Sequence, residues 1–272
     1  RFVPDETITT IRDHSPTLMI LVPAMMQALI DDPAWPEINF SSLRCIVTGS
    51  TTVPETILRT YLERGIPIIQ VYGLTETGPI AIHQRISDAY SSAGSIGKVA
   101  LHCEAEIHGA DGTKLAPGKN GEIVVRGPNI MTGYWKDPDA TAETMRNGWF
   151  HTGDVGYTER DGNFHVVDRT KDVIISGSEN IYSAELEIPL DECPEIAEAA
   201  IVGRSDVRWG EVPVACVVRR KGGTITKDQV LALYNSRVAK YKHPHDVFFM
   251  DSLPHNVMGK VLKYELRATI ER

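Results

Sequence analysis

Val166-Val167-Asp168-Arg169-Thr170-Lys171-Asp172-Val173-Ile174-Ile175-Ser176-Gly177-Ser178-Glu179-Asn180-Ile181-Tyr182 places two short β-branched runs on either side of a charged link. Residues 164–167 and 173–175 are predicted strands, because short runs of Val, Ile and Phe suit a pleated, half-buried surface. The link from Asp168 to Asp172 has no apolar residue to bury, so it can turn without emptying a core. It is expected to be a hinge between two domains. After the second run, Ser176-Gly177-Ser178-Glu179-Asn180 is a polar turn that allows positive φ at Gly177, and Ser183 is the expected cap of a helix carrying Glu185 and Glu187. Taken alone, the same residues also describe a polar loop between two strands.

The whole chain sets the scale of these expectations. Its 272 residues suit about two domains, and 42% hydrophobic content is enough for real cores. Lysine and arginine total 28 against 36 acidic residues, a net charge of −8, which argues against a nucleic-acid surface and against a polybasic membrane patch. Cys45, Cys103, Cys193 and Cys216 lie far apart, with no spacing for zinc or a disulfide framework, so the cytosol is the expected compartment. The longest apolar run, residues 18–26, contains Pro23 and falls well short of the ~20 residues of a membrane helix. The chain starts at Arg1 and runs directly into folded-looking sequence, so it is expected to be part of a longer protein.

Near the N-terminus, Val22-Pro23-Ala24 should open a helix whose Met25, Met26 and Leu29 face a core. Residues 45–48 form a buried-strand candidate that ends at Gly49. Thr52-Val53-Pro54-Glu55 is a capping box for a helix running to Gly65, and residues 66–71 are a second strand. Strand, helix and strand make a βαβ unit, so this sheet should be parallel, with ligands at the carboxyl ends of its strands. Val71-Tyr72-Gly73-Leu74-Thr75-Glu76-Thr77-Gly78 falls at such an end. There Gly73 permits close backbone approach, Thr75 offers a hydroxyl to a phosphate, and Glu76 offers a hard oxygen to Mg²⁺.

From Gly94 to Asp168 the pattern changes to short strands with Asp111-Gly112, Asn120-Gly121 and Asp161-Gly162 between them, the signature of antiparallel hairpins. Trp149-Phe150-His151-Thr152-Gly153-Asp154 ends in a carboxylate that is either a turn residue after Gly153 or an acceptor for two ribose hydroxyls, and a predicted hairpin brings Arg169 towards it. The last hundred residues are expected to be α+β. They contain a helix interrupted or ended at Pro189, strands at 199–202 and 212–218, a helix opened by the Thr226–Gln229 capping box, and a final amphipathic helix with Leu262, Leu266 and Ile270 on one stripe.

Taken together, Tyr72-Gly73-Leu74-Thr75-Glu76, Gly121-Glu122-Ile123-Val124-Val125-Arg126-Gly127 with Gly133-Tyr134, Thr152-Gly153-Asp154, the link at Lys171 and Val257-Met258-Gly259-Lys260 resemble the motifs of the adenylate-forming superfamily. That superfamily comprises acyl-CoA synthetases, luciferases and peptide-synthetase adenylation domains. The resemblance runs through essentially the whole chain, but only through the C-terminal part of the family's fold. It implies α/β plus α+β architecture in three parts: residues 1–95 as the end of a parallel-sheet α/β core, 96–170 as a small antiparallel β-rich subdomain, and 171–272 as a mobile α+β lid.

By the same resemblance, Gly49, Ser50 and Thr51 contact adenine through the backbone, with Ser50 standing where the family more often has glycine. Tyr72 and Gly73 lie against adenine, Thr75 meets the α-phosphate, Glu76 holds the metal, and Asp154 with Arg169 fixes the ribose. Lys171 is the hinge pivot and Lys260 the catalytic lysine. Residues Ser176, Gly177, Ser178, Glu179 and Asn180 line a pantetheine tunnel for CoA. From charge rather than resemblance, Arg237, Lys240 and Lys242 are candidates for the phosphates of coenzyme A, although such a cluster is more commonly plain solvated surface.

Gly177-Ser178-Glu179-Asn180-Ile181-Tyr182 and Tyr241-Lys242-His243-Pro244 are closest in character to acid:CoA ligases. The implied activity is ligation of a fatty or aryl acid to CoA, with ATP and CoA as co-substrates, Mg²⁺ as cofactor and an acyl-adenylate intermediate. The family's Ser/Thr/Gly-rich phosphate loop and its lysine do not occur in these residues, so the isolated chain is expected to have little activity without the N-terminal part of the same enzyme. Two other functions fit the same sequence: an adenylating enzyme that loads a carrier protein, and a non-catalytic fragment or interaction module.

Overall fold

The computed structural model describes residues 2–49, 53–92, 94–256 and 259–271. Contacts divide the chain into two units, Arg1–Val166 and Val167–Arg272.

In the first unit, α1 (Pro4–His14), β1 (Leu18–Ile20), α2 (Pro23–Ile30), β2 (Cys45–Thr48), α3 (Glu55–Glu63) and β3 (Ile68–Tyr72) come first. β1, β2 and β3 pair in parallel in that order, as the βαβ pattern requires. Met26, Leu29, Ile46, Ile57, Leu58, Tyr61 and Ile68 bury together beside the sheet. This burial holds the helices in place, because isolated helices of about ten residues are marginal in water. Helix α3 begins after Pro54, which provides no side-chain cap; the predicted capping box rests on Thr52, which lies outside the described residues. After β3 the chain turns back into β4 (Ile82–His83) and β5 (Lys98–Val99), both antiparallel additions to the same sheet.

The predicted antiparallel region follows as β6 (Glu104–His108), β7 (Gly121–Arg126), α4 (Pro138–Thr144), β8 (Met145–Arg146), β9 (Trp149–Thr158) and β10 (Phe164–Arg169). Its sheet order is β10-β9-β7-β6, with β8 on β9. Ala81, Ile82, Ile107, Ile123, Val125 and Phe164 form a buried cluster shared by the two sheets of this unit.

The second unit contains β11 (Ile174–Ser176), β12 (Glu179–Ile181), α5 (Ser183–Asp191), β13 (Ile196–Asp206), β14 (Gly210–Arg219), α6 (Lys227–Ala232), β15 (Asp246–Met250) and α7 (Lys263–Ile270). Its sheet runs β12-β11-β14-β13, with β15 parallel to β14. β14 alternates across two cores: Ala215 and Val217 pack with Leu186, Leu190 and Tyr234, while Val214 and Cys216 pack with Leu266 and Ile270. The Thr226–Gln229 capping box opens α6 as expected. Pro189 neither ends nor interrupts α5; it is buried and the helix continues to Asp191. A proline near the end of so short a helix removes only one backbone donor.

The charged link departs most from its sequence reading. Asp168 and Asp172 are both buried. Asp168 Oδ2 accepts from the backbone N of Ser183 (2.5 Å), the Ser183 hydroxyl (2.8 Å) and the N of Ala184 (3.3 Å). Asp168, not Ser183, therefore caps α5, with Ser183 as its first residue, and the carboxylate complements the positive end of the helix. The Ser183 hydroxyl also accepts from Lys263 Nζ (2.7 Å), which pairs with Glu187 (2.7 Å). Arg267, one turn further along α7, donates to Asp172 at 3.0 Å. Both carboxylates of the link are thus tied to helices of the second unit.

Candidate active site

In the first unit, β3 delivers Tyr72 and Gly73 to a single 3₁₀ turn formed by Thr75, Glu76 and Thr77. The turn is held from inside. Buried Thr77 Oγ1 accepts from the N of Leu74 (2.8 Å), Asn129 donates to Thr77 O (2.6 Å), and the N of Met131 donates to Glu76 O (2.8 Å). Thr75 is left exposed, where its hydroxyl can meet a ligand.

Glycine at position 73 has a cause that the sequence does not reveal. A Cβ there would lie 1.9 Å from Pro79 O and 2.7 Å from Thr77 Oγ1. Gly73→Ala is therefore expected to destabilise the fold by about 1–3 kcal/mol, the usual cost of overpacking. Thermal unfolding checks this, and an unchanged Tm would mean that the turn relaxes freely. Gly49, at the end of β2, is similarly close-packed, with Val71 O 2.7 Å from an added Cβ. Ser50 and Thr51 lie outside the described residues.

Glu76 Oε1 accepts from the Tyr134 hydroxyl at 2.9 Å. Burial, and after it the Glu76 carboxylate, raises the Tyr134 phenol above its ordinary value, so the tyrosine stays a donor. The sequence gives no sign of this contact, since an aromatic hydroxyl after a glycine carries no signal that it will reach a carboxylate 58 positions away. No group of three or more His, Cys, Asp or Glu that could cage a metal occurs among the described residues. Mg²⁺ needs no such cage, since it is commonly held by one or two carboxylates together with substrate phosphates and water. Glu76, with one carboxylate oxygen held by Tyr134 in a turn whose Thr75 is exposed, fits that mode.

Asp154 is buried in β9, and the Tyr72 hydroxyl donates to its Oδ2 at 2.8 Å. This bond brings the end of β3 and the carboxylate of β9 together across 82 residues of sequence. Tyr72, Gly73, Thr75, Glu76 and Asp154 thus belong to one region of the first unit.

The other predicted residues belong to the second unit. Arg169 donates its backbone N to Asp168 Oδ1 at 2.7 Å, and Lys171 is exposed in a 3₁₀ turn between the two buried aspartates. Ser176 ends β11 and Glu179 begins β12, so Gly177 and Ser178 form a two-residue hairpin turn with φ of 57° and 73°. Such I′-type turns need positive φ at both central positions. The N of Gly177 donates to Trp209 O (2.8 Å), and an added Cβ would lie 2.8 Å from the Trp209 ring. Ser178, Glu179 and Asn180 are exposed.

Lys260 is exposed in a turn tied by Asn256, which donates its N to Lys260 O (2.9 Å) and accepts from the N of Lys260 at Oδ1 (2.9 Å). Of the basic residues considered for CoA phosphates, Lys242 pairs with Glu185 (2.6 Å) and Arg237 with Glu192 (2.5 Å). These two are engaged as structural ion pairs. All four cysteines are free thiols, and among the described residues no helix is long and apolar enough to cross a membrane.

Residues 1–135 match the model for AMP-binding enzymes, and residues 185–260 match that for the AMP-binding enzyme C-terminal domain. An indoleacetate–CoA ligase of Aromatoleum aromaticum is 48% identical over 100% of this chain and 53% of its own length. A feruloyl-CoA synthase of Amycolatopsis is 43% identical over 98% of the chain and 54% of its own. The o-succinylbenzoate CoA synthetase of Bacillus subtilis superposes with a TM-score of 0.89 both with its acyl-adenylate intermediate (36% identity) and with ATP and magnesium (35%), over 98% of this chain and 54% of that one. The chain spans about half the length of the curated relatives it matches.

Proposed function

The chain belongs to the adenylate-forming family of AMP-binding enzymes, and from that premise we propose that the polypeptide carrying it is an AMP-forming acid:CoA ligase. The observation that supports the nucleotide part of this reading is the meeting of Tyr72 with Asp154, which sets a buried carboxylate near the Thr75–Glu76 turn. In this reading the ribose hydroxyls donate to Asp154, with Arg169 as its partner in nucleotide binding. Adenine lies against Tyr72, Gly73 and the Gly49–Thr51 backbone, and Thr75 donates to the α-phosphate. Glu76 would hold Mg²⁺, which when bound neutralises phosphate charge, and Tyr134 orients that carboxylate.

The chemistry follows from charge. A substrate carboxylate approaching the α-phosphate meets like charge, and at ~4 Å with an effective dielectric of about 20 each unit pair repels by roughly 4 kcal/mol. The Lys260 ammonium opposes that repulsion and stabilises the departing pyrophosphate. In the second step the CoA thiolate attacks the acyl carbon and AMP leaves. Movement of residues 171–272 about Lys171 withdraws Lys260 and brings the Ser176–Asn180 turn to the pantetheine. The acid is proposed to be an aryl acid, in keeping with the substrates for which the relatives are named, and free thiols fit a cytosolic setting.

The test is AMP release by the complete polypeptide with ATP, Mg²⁺ and CoA over a panel of aryl and fatty acids. Release that needs acid and ATP, and that CoA accelerates, is expected for at least one aryl acid. Acceleration by a phosphopantetheinyl carrier protein but not by CoA would overturn the CoA assignment.

A further inference from the structure

Asp154 does not sit in regular sheet. Along β7 and β9, Glu122 pairs with Val155 and Val124 with His151, so that three residues, Thr152, Gly153 and Asp154, stand opposite Ile123 alone. Such a bulge leaves its extra residues without ladder partners, and it re-aims side chains. Gly153, at φ 71°, makes the turn possible.

Two side chains replace the missing ladder bonds. Thr152 Oγ1 donates to Ile123 O at 2.7 Å and accepts from the N of Asp154 at 3.1 Å. On the other side, Glu122 Oε1 accepts from the N of Gly153 at 3.0 Å, and its Oε2 lies 2.7 Å from His151 Nδ1 and 3.7 Å from Arg146. The Glu122 carboxylate therefore spans the bulge from the residue before it to its middle, with His151 and Arg146 fixing the carboxylate in turn. A charged acceptor on a backbone N–H is among the stronger hydrogen bonds available to hold such a shape.

We propose that Glu122 is a positioning residue for nucleotide binding: it holds the Thr152–Asp154 bulge in the shape that aims the Asp154 carboxylate at the ribose. The proposal rests on the reading of Asp154 as the ribose ligand. It gives the Gly121-Glu122 start of β7 a role beyond packing, and it predicts a loss confined to the ribose hydroxyls rather than spread over the whole nucleotide.

The experiment compares binding of AMP and 2′,3′-dideoxy-AMP to the complete polypeptide by calorimetry, in wild type, Asp154→Ala, Glu122→Ala and Glu122→Gln. Wild type should prefer AMP by at least about tenfold, as expected for charge-assisted bonds to ribose. Asp154→Ala should erase that preference. Glu122→Ala should erase most of it while leaving dideoxy-AMP affinity within about twofold. Glu122→Gln, whose amide oxygen can still accept from Gly153, should keep most of the preference. Glu122→Met, of similar length without an acceptor, gives the same test if Glu122→Ala does not fold.

If Asp154→Ala erases the preference and neither Glu122→Ala nor Glu122→Met does, the positioning role is wrong and the ribose assignment stands. If the Glu122 variants weaken both nucleotides equally, Glu122 is only structural. If Asp154→Ala leaves the preference intact, the ribose assignment falls and the proposal with it.

Discussion

Lys260→Ala in the complete polypeptide is expected to lower acyl-adenylate formation by about 10²–10³, equivalent to 2.7–4 kcal/mol, while sparing thioester formation from a supplied acyl adenylate. The asymmetry is the informative part. Adenylation brings a carboxylate to a polyanion, so a missing cation is felt most as charge concentrates in the transition state. Thioester formation has no pyrophosphate to stabilise. The turn that presents Lys260 is held through the backbone and side chain of Asn256. Lys260→Arg keeps the charge but replaces a compact ammonium with a planar fork, and it should recover only part of the rate. Single-turnover measurement of each half-reaction decides the matter. Equal loss in both steps would remove Lys260 from a role specific to adenylation.

What could be read from the sequence, and what could not, divides along a physical line. The parallel start of the first sheet was legible because a buried strand, an amphipathic helix and a second strand follow each other directly in residues 45–72. The antiparallel region was legible because Asp111-Gly112 and Asp161-Gly162 announce their turns locally, and the α6 cap because its partners are three residues apart. Asn120-Gly121, by contrast, is no turn, its Gly121 opening β7 opposite Gly156. Contacts between distant residues were hidden. Ser183 had the local chemistry of a cap, but the real cap, Asp168, lies 15 positions upstream. A run from Asp168 to Asp172 with no apolar residue resembles a solvated link until α5 and α7 supply partners that make its carboxylates worth burying. The bulge at Thr152–Asp154 is a property of register between two strands, and no single strand's sequence records it. Of the candidate site, the residue types could be named in order along the chain, while Tyr134 and Glu122, which hold Glu76 and the bulge carrying Asp154, could be found only once the strands were paired.

The second large effect is expected at Lys263, which lies outside the proposed chemistry. Lys263 Nζ donates to Ser183 Oγ and pairs with Glu187, whose Oε1 also accepts from the N of Ile201 at 2.8 Å. Burial raises the Glu187 pKa above its ordinary value of 4.5, and Lys263 works against that rise. Lys263→Met keeps the length of the side chain and removes its charge. It leaves Glu187 as an uncompensated carboxylate near Asp168, and breaking such a pair costs about 3 kcal/mol at the low end of its usual range. The pH dependence has a definite sign. A carboxyl whose folded pKa is raised favours folding while protonated, so its contribution is full below about 4.5 and is lost as pH rises through the folded pKa. Without Lys263 the folded pKa of Glu187 rises further. The stability deficit of Lys263→Met relative to wild type should therefore be largest near pH 8 and shrink towards pH 5, and adding Glu187→Gln should flatten that dependence. Urea unfolding at a series of pH values measures it, and a deficit independent of pH in the single variant would mean that Lys263 contributes packing rather than charge. Because Lys263 holds Ser183, a partner of Asp168, and Arg267 itself pairs with Asp172, the aspartates on either side of Lys171 are fixed to α5 and α7. Rotation at Lys171 without local rearrangement would separate Asp168 from Ser183, so the same network that stabilises the second unit also sets the resistance against which the proposed pivot must turn.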